Sequence, residues 1–192
     1  MGWNDFYQRR GALLAVLEWY ARNPGSTIRF DEIPGLHEAY RDREDLLRAL
    51  HCRWLLLLAP RIELALDAAA RHPSLDRVVA VTRAWRELAA SEPALRGVLD
   101  EYAGVNSQGV CTAWAAEHRL LALAAGLAEP DQAPEEVIRI GAAFLTMVGH
   151  QGRGRCVSRR RGLPATLLRE GRNLLTRINE RMRRRTTKNQ CQ

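Results

Sequence analysis

Apolar residues recur at helical spacing along almost the whole chain, and Pro or Gly cuts that pattern into helix-length pieces. Phe6, Leu13, Leu14, Val16, Leu17 and Tyr20 lie on the first piece; Asp5 is placed to cap its start and Pro24-Gly25 stops it. A second piece starts at Asp42, with Asp45 three residues on, and carries Leu46, Leu47, Leu50, Trp54, Leu57 and Leu58. Pro60 is expected to kink or break it, having no amide to donate and a ring that crowds the preceding turn. The pattern resumes with Ile62, Leu64 and Leu66 and ends at His72-Pro73. Ser74 is expected to cap a helix through Leu75, Val78, Val79, Trp85 and Leu88, and Pro93 suits the first turn of a short helix through Leu95, Val98, Leu99 and Tyr102. Helices are also expected over residues 107–127, over 134–149, and over about 163–185. The second of these opens with Pro134-Glu135-Glu136, where acids suit the N-terminal dipole. We find no convincing strand and no repeat, so the expected fold class is all-α.

Charge is segregated. The chain carries a net +7, but residues 151–192 hold twelve Arg, one Lys and two Glu, a net +11, which leaves −4 for residues 1–150. A mildly acidic body is thus followed by a strongly basic segment. The longest apolar run, Trp54 to Ala59, falls far short of the ~20 residues that span a bilayer. The start, MGWNDFYQRR, has charges but no apolar stretch, and Phe6 stands where a myristoylation site needs Ser or Thr. A cytoplasmic protein with no membrane partner is the expectation. Cys52, Cys111, Cys156 and Cys191 sit far apart with no paired His or Cys ligands, so no metal or other cofactor is expected.

Catalytic patterns fail one by one. "GVNSQG" around Ser107 misses the nucleophile elbow by one position, and no strand precedes it. "LHEAY" offers His37-Glu38 but has Arg41 where a zinc-binding helix needs its second His. Glu117 and His118 are neighbours on a helix and therefore point in different directions. No enzyme is expected.

With those exclusions made, the order of several stretches resembles the tetracycline-repressor (TetR) family of transcriptional regulators. They are the apolar first helix "RRGALLAVLEWYARNPGSTI", the "DEI" that follows, "LHEAYRDREDLLRAL", "AWRELAASEPALRGVLDEYA" and "AEHRLLALAAGLAEP". The resemblance covers about residues 5–150. It implies a helix-turn-helix region over 1–45 and a helical ligand-binding and dimerisation domain over 46–150; residues 151–192 add a basic loop and an amphipathic C-terminal helix. The departure falls on the reading element. A helix-turn-helix needs two short helices and a turn of ~3–4 residues. Here Thr27 to Tyr40 spans only fourteen residues, interrupted by Pro34-Gly35, and Leu36 to Tyr40 alone remain for the reading helix. Asp31, Glu32 and Glu38 also stand near the would-be DNA face, where phosphates repel them. The element is therefore expected to be shortened or degenerate. Alternatively, Ile28, Phe30, Ile33, Leu36 and Tyr40 simply pack inside.

Carried over by position, the DNA-contact candidates are Thr27, Arg29, His37, Tyr40 and Arg41. Arg159, Arg160 and Arg161 add a run able to grip phosphates without reading sequence. Behind it, Leu167, Leu168, Leu174, Leu175, Ile178 and Met182 share one face of the basic C-terminal helix, which suits packing or a homodimer. The resemblance also implies a pocket for a small apolar effector, lined by Trp85, Tyr102, Trp114, Phe144 and Met147, with His118 or Arg119 as polar anchors. The expected function is a TetR-like transcriptional regulator with weakened DNA contact. The alternative is a protein-interaction module that keeps the dimerising body and acts through a partner without reading DNA.

Overall fold

Residues 3–72, 75–104 and 108–151 are described by a computed structural model; Ser74, Ser107 and the basic segment with Arg159, Arg160 and Arg161 lie outside them. Among the described residues there are seven α-helices and one 3-10 turn, with no strand. The first helix, α1 (Trp3–Arg22), begins two residues before the expected cap. Asp5 sits instead in its first turn, where a carboxylate faces the unbonded amides. The helix stops where Asn23 Nδ2 donates to the Trp19 carbonyl (2.9 Å) and Gly25 adopts φ +78°.

A 3-10 turn (Phe30–Glu32) leads to Gly35, whose φ of +75° lets the chain turn directly into α2 (Leu36–Ala39), a single helical turn. The next helix, α3 (Arg43–Arg71), is opened by Asp42, whose side chain accepts from Asp45 N (2.8 Å). It runs unbroken through Pro60, so of the kink or break expected there the break does not occur. Pro60 and Leu56, whose carbonyl the proline leaves without an amide partner, are both exposed, so water can satisfy that carbonyl.

The following helix, α4 (Arg77–Ser91), starts later than the Ser74 expectation. Its cap is Asp76, which accepts from Val78 N at 2.6 Å, so Leu75 precedes the helix. Pro93 opens α5 (Pro93–Glu101) as expected; α6 (Gln108–Ala124) and α7 (Pro134–Gln151) follow, with Glu135 and Glu136 in the first turn of α7.

The chain divides into two compact units after Glu117, partway along α6. In the first, Val16, Ile28, Leu36, Leu46, Leu50, Leu58, Leu88, Leu95 and Val98 are almost wholly buried, each such side chain contributing about 1.5–3 kcal/mol of hydrophobic stabilisation. Ile28 N donates to Tyr102 Oη (2.9 Å), which fixes the stretch leading to the 3-10 turn against the end of α5. In the second unit, Ala122, Ala128, Val137 and Ile140 form a small-residue core with Leu123 and Leu127 packed on it. Gly141 lies so close to the His118 carbonyl that a Cβ there would overlap it, so α7 approaches α6 backbone to backbone.

Candidate functional site

Three helices of the first unit deliver side chains to one carboxylate, that of Glu117 on α6. Trp54, from α3, donates its indole N–H to Oε1 at 2.8 Å; Trp85, from α4, does so at 3.1 Å; Arg96, from α5, donates through Nη1 at 3.3 Å. His51, one helical turn before Trp54, brings Nε2 to 3.2 Å from Oε2. That approach is an ion-pair distance without hydrogen-bond alignment, and both atoms lack a hydrogen-bond partner among the described residues. Glu117 is fully buried, and His51 and Arg96 nearly so.

The Arg96 guanidinium is enclosed by aromatic faces. Its carbon lies 5.0, 5.6 and 5.2 Å from the ring centres of Trp54, Trp85 and Trp114, within range for cation–π attraction. Its Nη2 donates to Asp100 Oδ1 at 3.1 Å. Trp114 also meets the His51 ring edge to face (4.7 Å), as Trp54 meets Trp85 (5.8 Å). Burial alone would raise the Glu117 pKa. The adjacent His51 imidazole, the Arg96 charge and the Trp85 indole outweigh it, lowering the pKa to about 2. The carboxylate is therefore ionised under all ordinary conditions.

Beside this cluster lies a cavity of about 10 Å³, lined in part by His51, Leu99, Tyr102 and Trp114. That is room for one water molecule, whereas drug-sized ligands occupy pockets of about 300–1,000 Å³. The cluster can hold a charge pair rigidly in the core and tie four helices together. Its buried carboxylate presents no open face to a substrate.

The pocket residues expected from sequence are drawn from both units. Trp85 and Trp114 meet in the cluster, and Tyr102 borders the cavity with its hydroxyl engaged by Ile28. His118, Arg119, Phe144 and Met147 belong to the second unit, where Phe144 is buried. Sequence reasoning missed Glu117, Arg96, His51 and Trp54 as a group. The available signal was a charged residue on an otherwise apolar helix face: Arg96 beside Leu95 and Leu99, and Glu117 between Trp114 and Leu121.

The DNA-contact candidates occupy the other end of the first unit's sequence. Thr27, Arg29, His37 and Arg41 are exposed, but Arg29 pairs with Glu32 (3.2 Å) and His37 with Asp31 (2.9 Å). Tyr40 is buried, its hydroxyl donating to the Arg9 carbonyl (2.9 Å) while the Arg9 guanidinium lies 4.6 Å from its ring centre. Burial raises the Tyr40 pKa more than Arg9 lowers it, so the phenol stays protonated and keeps that hydrogen bond. Among the described residues no group of His, Cys, Asp and Glu is placed to hold a metal ion, and no helix is long and apolar enough to cross a membrane. No protein-family model, curated protein or solved structure matches this chain.

Proposed function

We propose that this chain is a helical protein-interaction module built on a TetR-like plan, in which the helix-turn-helix-like element packs against its own body and does not read base sequence. The observation that carries this reading is α2. It is one turn long, Leu36, Ala39 and the following Tyr40 are buried, and only His37 and Glu38 point outward. A recognition helix presents three or four side chains to base edges. Here one of the two outward side chains is acidic and the other is held by Asp31.

A second reading, a TetR-like regulator answering to a small apolar effector, keeps one observation in its favour. The net +11 of residues 151–192 supplies phosphate affinity without sequence information. The two readings part on the role of the exposed residues around α2. Arg29, His37 and Arg41 are changed together to Ala in the full chain, and affinity for duplex DNA is followed by fluorescence anisotropy. The interaction-module reading expects no change beyond about twofold. A loss of about tenfold, the size of one good base contact, would favour the regulator.

A further inference from the structure

The outward side of α1 carries apolar residues that its own fold leaves open. Phe6 is 58%, Tyr7 60% and Leu14 39% exposed, and the first two rings meet edge to face with 5.7 Å between centres. Helical register puts Phe6, Tyr7, Arg10 and Leu14 within an arc of about 100°, over about 12 Å of helix. Ala12 and Val16, turned away from that arc, are buried. Arg10 is exposed and forms no ion pair with a described residue, whereas its neighbour Arg9 is held by Asp45 at 3.2 Å. Asp5 lies outside the arc, and the next carboxylate along that side is the exposed Glu18, about one turn beyond Leu14.

We propose that this end of α1 docks on an anionic lipid surface, with Phe6, Tyr7 and Leu14 entering the boundary between headgroups and acyl chains and Arg10 meeting lipid phosphates. The position of the cation favours lipid over a protein groove. Arg10 stands inside the apolar arc, where a groove would strip it of water unless it offered a carboxylate at that one spot. A lipid surface offers phosphates all along the boundary. Tyr and Arg each join an apolar body to a polar tip, which suits a boundary between water and hydrocarbon. The net charge of +7 draws the whole chain to such a surface. Glu18 ends the stripe, because anionic headgroups repel it. The helix therefore enters tilted, by about its first three turns, to the ~5–10 Å depth of an interfacial helix.

The sequence reading expects no membrane partner, since no apolar run is long enough to span a bilayer. Docking from one side needs no spanning segment. The inference goes beyond the interaction-module reading and stands on α1. The α2 element plays no part in it, so either can fail while the other holds.

The test mixes the full chain with vesicles of equal parts phosphatidylglycerol and phosphatidylcholine, or of phosphatidylcholine alone, and measures the bound fraction by co-sedimentation. Wild type should partition onto the anionic vesicles, and more weakly onto the neutral ones. Phe6→Ala combined with Tyr7→Ala, and separately Leu14→Glu, should each lower the anionic partition coefficient about tenfold or more. Their melting temperatures should stay near that of wild type, since all three side chains are exposed. Arg10→Glu should lose about tenfold on anionic vesicles and little on neutral ones. In Tyr7→Trp, acyl chains brominated near the headgroup should quench the added fluorescence, which puts that ring below the phosphates. A wild type that binds neither vesicle overturns the proposal and leaves a protein groove as the fitting occupant. Binding that survives the α1 variants overturns it too, because residues 151–192 would then supply the affinity. So does an added indole that bromine leaves unquenched.

Discussion

Replacing Glu117 with Ala removes the carboxylate that accepts from two indoles and a guanidinium and lies 3.2 Å from an imidazole. Arg96 would be left nearly buried, with Asp100 as its remaining carboxylate partner and a charge the core can no longer balance fully. Removing one member of a buried pair costs about 3–5 kcal/mol. An independent estimate comes from acidity. A carboxyl whose pKa falls from 4.5 to about 2 on folding is stabilised by about 3 kcal/mol in its ionised form. The two agree, and each is a large share of the roughly 5–15 kcal/mol that holds an ordinary domain folded.

The expected result at pH 7 is a melting temperature lower by about 6–20 °C, at about 2–4 °C per kcal/mol for a chain of this size. Near-ultraviolet circular dichroism follows it best, since Trp54, Trp85 and Trp114 all surround the carboxylate's partners. The pH dependence has a definite sign. Because folding depresses this pKa, the stabilisation is fully present above about pH 4.5 and is lost as pH falls towards 2. Glu117→Gln, which keeps the shape without the charge, should flatten that part of the stability profile relative to wild type. An Ala variant melting within about 2 °C of wild type, on the order of the effect of a neutral surface change, would refute the reasoning.

Three further outcomes follow from single contacts. Gly141→Ala should destabilise the second unit by about 1–3 kcal/mol, because a methyl group cannot share space with the His118 carbonyl; hydrogen exchange along α7 would report it. Tyr40→Phe should lose about 1 kcal/mol through its hydrogen bond to the Arg9 carbonyl, measured by urea denaturation, with no effect on DNA affinity. Pro60→Ala should raise stability by up to about 3 kcal/mol, since α3 is already continuous there and would regain an amide donor; a lower denaturation midpoint would contradict this.

Helix positions were legible because apolar period and punctuation are local properties. Asp42, Pro93 and Pro134 mark helix starts both in the sequence and in the structure. The misjudged points turn on what surrounds a residue. Pro60 breaks a helix in principle, yet here it and Leu56, whose carbonyl it leaves without an amide, are both open to solvent. Asp76 displaces the expected capping role of Ser74 because its carboxylate reaches Val78 N.

The cluster was harder to read. Trp54 and Glu117 are separated by 63 residues and Arg96 and Glu117 by 21, so only packing brings them together. A lone charge on an apolar helix face hints at a buried partner but does not say which. The one-turn α2, by contrast, was visible in the fourteen residues between Thr27 and Tyr40. There simply was not enough chain for a longer helix after Gly35.

The most direct test of the central claim, that the α2 element does not read base sequence, is anisotropy on two labelled duplexes. One comes from the region upstream of the protein's own coding sequence, and the other is its scramble. The full chain is titrated on each at several salt concentrations. The account predicts equal affinity for both, weakening in parallel as salt rises, as counterion release by basic residues requires. A preference of about tenfold or more for the native duplex that persists across the salt series would contradict it.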